Sequence, residues 1–103
     1  MPLYPTSTNN TVSTATATAT PSSVAVTTTS TVVLAADANR KKFSIFNSGN
    51  TTALIELGAT PTSAAYFMPI SPGYLYVDDI DWRGTVNAIT ASGTSTLLVR
   101  SFS

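Results

Sequence analysis

The residues best placed to do chemistry are Asp78, Asp79 and Asp81, with Arg83 close behind them. Clustered carboxylates can hold calcium, which takes about six to eight oxygen ligands. They can also supply an acid and a base to a glycosidic bond. The spacing lacks the alternating ligands and the glycine of an EF-hand loop. A polar loop following a strand, with Arg83 paired to one carboxylate, accounts for the cluster better, and metal binding stands as the weaker alternative. The chain has no cysteine and no histidine. That removes disulfides, thiolate metal sites, the commonest metal ligand and the commonest general base. Neither a nucleophile elbow nor a glycine-rich phosphate loop occurs. These features argue against an enzyme and give no reason to expect a cofactor.

Other residue types suit contacts rather than catalysis. Arg40-Lys41-Lys42 is a short basic run, read as a solvated strand entrance or as an ion-pairing contact to an acidic partner. Three charges without interleaved aromatics are too few for a nucleic-acid surface. Tyr74 and Tyr76 share one face of a strand by period two, with Leu75 and Val77 on the other. Core packing explains the tyrosines first. A subunit contact comes second and a glycan platform third. Tyr4 is an isolated aromatic in an otherwise small and polar segment, the type of residue that anchors in a neighbour's pocket.

Short strands must position these groups. Val24–Val26, Thr31–Ala35, Lys42–Asn47, Thr52–Leu57, Tyr66–Ile70, Tyr74–Val77, Thr85–Thr90 and Thr96–Phe102 are β-branched or alternating runs. Turn signals separate them, including Ser48-Gly49-Asn50, Ser71-Pro72-Gly73 and Ser92-Gly93. Pro69 places its strand at an edge or an end. No stretch keeps an apolar pattern at helical spacing. The spacing predicts an all-β fold, a small antiparallel sandwich or barrel of seven to eight strands.

Residues 1–23 read differently. They are Thr, Ser, Asn, Pro and Ala with little to bury, and they carry no charged side chain. In an extended chain Thr14, Thr16, Thr18 and Thr20 face one side and the alanines between them the other. Such a segment is either a solvated low-complexity tail or an arm ordered by strand addition to another subunit. The arm reading is preferred, with Pro21 marking its junction and a body at residues 24–103.

The 103 residues hold five basic and five acidic side chains. A neutral chain offers no electrostatic footprint for nucleic acid or an anionic membrane. MPLYPTSTNN lacks the basic and apolar regions of a signal peptide. No apolar run nears the ~20 residues that span a bilayer. A body of about 80 residues without a staple is marginal alone, so oligomerisation or docking is expected to stabilise it.

The body also resembles a small β-sandwich module of tailed-bacteriophage virion proteins. The residues that carry this are Asn39-Arg40-Lys41 leading into Phe43-Ser44-Ile45-Phe46-Asn47, then a Ser/Gly/Asn turn. A strand ending at Leu57-Gly58, a Pro-Gly turn before Tyr74, and the closing Ala88-Ile89-Thr90-Ala91-Ser92-Gly93-Thr94 complete it. The likeness covers about residues 30 to 102 and leaves the arm unexplained. It implies a capsid decoration (cement) protein on the virion surface, contacting the major capsid protein and copies of itself, with a trimer favoured. The alternative it implies is a head or tail fibre, or an adhesion module that binds host glycans.

Overall fold

Alternation at period two dominates the body, and each stretch that shows it becomes a strand. The computed structural model describes residues 18–103. In it β1 spans Ala19–Val26, β2 Thr31–Leu34, β3 Lys42–Asn47 and β4 Ala53–Leu57. β5 spans Met68–Ile70, β6 Leu75–Val77, β7 Val86–Thr90 and β8 Ser95–Phe102. No helix occurs among the described residues. The strands form two four-stranded sheets, β1-β8-β3-β6 and β2-β7-β4-β5, with antiparallel pairing throughout. The expected all-β sandwich is therefore the fold, and its strand order is that of a jelly roll.

Strand β3 shows how sequence selects the sheet. In KFSIFN, Phe43, Ile45 and Asn47 are buried while Lys42, Ser44 and Phe46 are half-buried on the other side. Phe43 and Ile45 meet Val26, Leu97 and Val99 of their own sheet, and Ala53, Ile55, Ile70, Val86 and Ala88 of the other. Each large side chain in this layer contributes about 1.5–3 kcal/mol on leaving water. The apolar core supplies most of the stability, and with no cysteine in the chain no disulfide shares that task.

Asn47 ends the alternation with a buried amide whose partners are complete. Its Nδ2 donates to the carbonyls of Thr51 and Ile70, both at 2.8 Å. Its Oδ1 accepts from the Gly49 N–H at 3.0 Å and the Ser95 hydroxyl at 2.6 Å. The side chain thereby ties β3 to β5, β8 and the turn between β3 and β4. Gly49 is required there, since a Cβ would stand 2.2 Å from the Ser95 Oγ and 2.8 Å from the Thr96 nitrogen.

Strand β1 differs from expectation at its start. It begins at Ala19, ahead of the expected boundary after residue 23, and it runs through Pro21. The register explains why proline is tolerated. Thr18 and Ser103 exchange both backbone hydrogen bonds at 2.9 Å, so even-numbered residues of β1 bond toward β8. Ala19, Pro21, Ser23 and Ala25 therefore turn their backbone groups to the free edge. Pro21 sits where an N–H has no partner to reach, so its missing donor costs the ladder nothing. Tyr4, Thr14 and Thr16, and with them most of the expected arm, lie outside the described residues.

Candidate functional site

The acidic cluster is built as a corner rather than as a site. Asp78 is 1 % exposed, and its N–H donates to the Phe43 carbonyl at 2.8 Å. Its carboxylate accepts the N–H of Ile80 at 3.0 Å and that of Trp82 at 3.1 Å. Asp79 accepts from the Tyr76 hydroxyl at 3.4 Å. Asp81 pairs with Lys42 and has φ of 56°, left-handed backbone that Asp adopts more readily than most residues. Each carboxylate is committed to a different partner. Among the described residues no group of three or more His, Cys, Asp or Glu could hold a metal ion. The contacts of Asp78, Asp79 and Asp81 close the loop between β6 and β7. Arg83 is not paired to a carboxylate; its Nε donates to the Arg40 carbonyl at 2.5 Å.

Electrostatics follow this pairing. The hydrogen bond from Lys42 holds the Asp81 carboxyl below its ordinary value, and the same bond raises Lys42 above its own. Partial burial, and then the charges of Asp79 and Asp78, push the Tyr76 hydroxyl up.

The basic run divides three ways. Arg40 is 1 % exposed, its side chain turned into the body of the chain. Its guanidinium donates to the carbonyls of Ala35 at 2.9 Å, Gly84 at 2.7 Å and Trp82 at 3.2 Å, and it lies 5.5 Å from the Phe43 ring centre. Burial lowers its pKa against the opposing pull of Asp37 and Asp78. A buried cation is tolerated because carbonyl dipoles replace water. Arg40 clamps the β2–β3 loop to the β6–β7 loop, and its burial corrects its reading as a solvated charge. Lys41 is half-buried, and its N–H donates to the Phe102 carbonyl at 2.7 Å. Lys42 remains at the surface in its pair with Asp81.

The tyrosines also part. Tyr74 precedes β6 and is 68 % exposed. Tyr76 turns inward, 5.9 Å from the Phe43 ring and 6.1 Å from Phe67, and closes the side of the core. It packs within the chain and stays half-buried. Thr18 and Thr20 are exposed beside Ser103 and Ser101 and stay available to a neighbour.

The feature that sequence reasoning missed is the outer face of the β1-β8-β3-β6 sheet. Register places Leu75, Phe46, Leu98 and Ser23 in one row across it. Val77, Ser44, Arg100 and Pro21 form the next, and Lys42, Phe102 and Ala19 the third. Leu75, Val77 and Leu98 are 59 %, 54 % and 44 % exposed. Toward β1 the face dips into an open groove of about 600 Å³ lined by Pro21, Phe46, Leu98, Arg100 and Phe102. At the other margin, Tyr74, Leu75, Val77 and Ile80 stand out around β6. Exposed apolar side chains scattered singly are ordinary, whereas a contiguous patch marks a contact surface. The signal for it was in the sequence: Phe46, Leu98 and Phe102 alternate with the inward positions of their strands, and Leu75 and Val77 flank half-buried Tyr76. The comparisons with known proteins give no match, whether to a family model, a curated protein or a solved structure.

Proposed function

We propose that this chain is a structural virion protein, a phage capsid decoration protein that binds the outside of the shell and stabilises it through arm and body contacts. The observation that carries the reading is the uncovered apolar margin at β6, with Tyr74, Leu75, Val77 and Ile80 all exposed. β6 is an edge strand, so Leu75 and Val77 also turn their backbone groups outward, open to a partner's strand. The jelly roll supports the reading by analogy, being common in viral capsid proteins. The likeness of residues 30 to 102 to phage virion modules points the same way. Many copies on one lattice would clamp it by multivalency, each contact forming at high effective concentration.

A second reading has one observation in its favour. Tyr74 is a solvent-facing ring, and lectins share the jelly roll, so an adhesion module binding host glycans fits as well. Co-sedimentation with tailed-phage shells stripped of decoration protein separates the two. Wild-type chain is expected to pellet with the shells, and Leu75→Lys/Val77→Lys to bind at least about tenfold more weakly, ~1.4 kcal/mol. Absence of shell binding, together with glycan binding lost in Tyr74→Ala, would establish the adhesin reading instead.

A further inference from the structure

We infer that β6 of one copy of this chain adds antiparallel to β1 of the next. The inference rests on the proposed function's reading of β6 as an open edge, and it names the strand that fills it. Four strands lie at sheet edges. In one sheet β5 carries Pro69 and β2 is irregular between Val32 and Leu34, both devices that blunt an edge. The other sheet ends in β1 and β6. On β6, Leu75 and Val77 turn their backbone groups outward. On β1, Ser23 and Ala25 do the same, exposed and with their N–H groups free of the ladder. Strand direction favours the match. β1 and β3 run one way, β8 and β6 the other. A copy set beside the first without rotation therefore brings its β6 antiparallel to β1.

Charge complementarity selects this pairing and its register. Arg100 and Asp79 are both exposed. Among the described residues the ion pair is Lys42 with Asp81, which leaves Arg100 and Asp79 without an opposite charge. Setting Val77 opposite Ser23 and Leu75 opposite Ala25 makes two hydrogen-bonded pairs, each exchanging both backbone bonds. The same register carries Asp79 to Pro21, the residue beside Arg100 in the ladder. Strands about 4.8 Å apart put the Arg100 and Asp79 backbones about 10 Å apart, a gap their side chains span over the short proline ring. Pro21 has no donor to offer, and it meets the neighbour just where β6 has ended. Exposed Val77 then lies in one row with Ser23 and exposed Leu98, at the margin of the groove. Pairing β6 with β6, or β1 with β1, does not set Asp79 against Arg100. The contact is heterologous, so it repeats from copy to copy.

Sedimentation equilibrium of the full-length chain, without shells, is the test. Wild type is expected to associate reversibly, and Arg100→Glu or Asp79→Arg alone to weaken association at least about tenfold. The exchanged chain, Arg100→Glu/Asp79→Arg, is expected to return to within about threefold of wild type. Ser23→Pro removes an edge N–H that its own sheet does not use. It is expected to stay folded by circular dichroism and to associate at least about fivefold more weakly. Wild type that stays monomeric up to ~1 mM would overturn the inference. So would an exchanged chain no better than the single variants, or a folded Ser23→Pro chain that associates as wild type does. Because no shell is present, failure here leaves the shell-binding result untouched, and the two proposals fall separately.

Discussion

Asn47→Asp is the substitution that tests the packing account most sharply, because it turns one atom, a donor of two hydrogen bonds, into an acceptor and changes almost no volume. In the wild type the amide nitrogen donates to Thr51 and Ile70 carbonyls, each 2.8 Å away. A carboxylate oxygen in that place would face two carbonyl oxygens. Two hydrogen bonds of ~0.5–1.5 kcal/mol each are lost, and one or two buried carbonyls are left unsatisfied at ~1–3 kcal/mol apiece. The expected cost at pH 7 is about 3–5 kcal/mol. For a domain of this size that lowers Tm by at least ~12 °C. Burial and the two carbonyls raise the folded-state pKa of the new carboxyl above its ordinary ~3.9. A group whose pKa is raised on folding contributes stability below the unfolded value and loses it as pH rises through the folded one. The deficit relative to wild type is therefore smaller near pH 4 and full by neutral pH. Urea unfolding followed by fluorescence of Trp82, the chain's one tryptophan, measures both quantities. A deficit under ~1 kcal/mol at pH 7, or one that grows on acidification, would refute the reasoning.

Further substitutions probe the corners and the surface pair. Arg40→Lys retains charge but not the fork that reaches Ala35, Gly84 and Trp82, and is expected to cost at least ~2 kcal/mol by the same unfolding assay. Gly84→Ala sets a Cβ 2.6 Å from the Trp82 ring, so the loop must shift; the expected readout is a Tm lowered by several degrees and a changed Trp82 emission. Asp81 titrates below its ordinary value because of Lys42, so the stability from that pair is present above the ordinary aspartate pKa and is lost as pH falls through the lowered one. In Lys42→Met the Asp81 midpoint, followed by NMR, is expected to move up toward the ordinary value.

Much of the fold was legible because alternation is a direct consequence of strand geometry. Lys42–Asn47 reads as a strand in sequence and is one in the structure, with the buried face where Phe43 and Ile45 place it. Pro69 signalled an edge, and β5 is the edge of its sheet. Pro21 misled, because the cost of proline depends on which way its nitrogen faces, and register is a long-range property. Arg40 misled for a related reason. Its burial depends on carbonyls of Trp82 and Gly84, forty residues and more along the chain. The tyrosine pair showed a third limit. Period two puts Tyr74 and Tyr76 on one side, but only Tyr76 lies within β6, and only it finds Phe43 and Phe67 to pack on. The apolar outer face went unread because four separate strands supply it, and only the strand order brings them together.

The claim that this chain strengthens a shell is tested most directly by the heat resistance of the shell itself. Stripped tailed-phage shells are scanned by calorimetry with and without saturating full-length chain. The account predicts a clear upward shift of the shell transition, saturating at a fixed number of copies per shell and lost with Leu75→Lys/Val77→Lys. A shell transition unchanged at saturation, with the chain folded by circular dichroism, would contradict it.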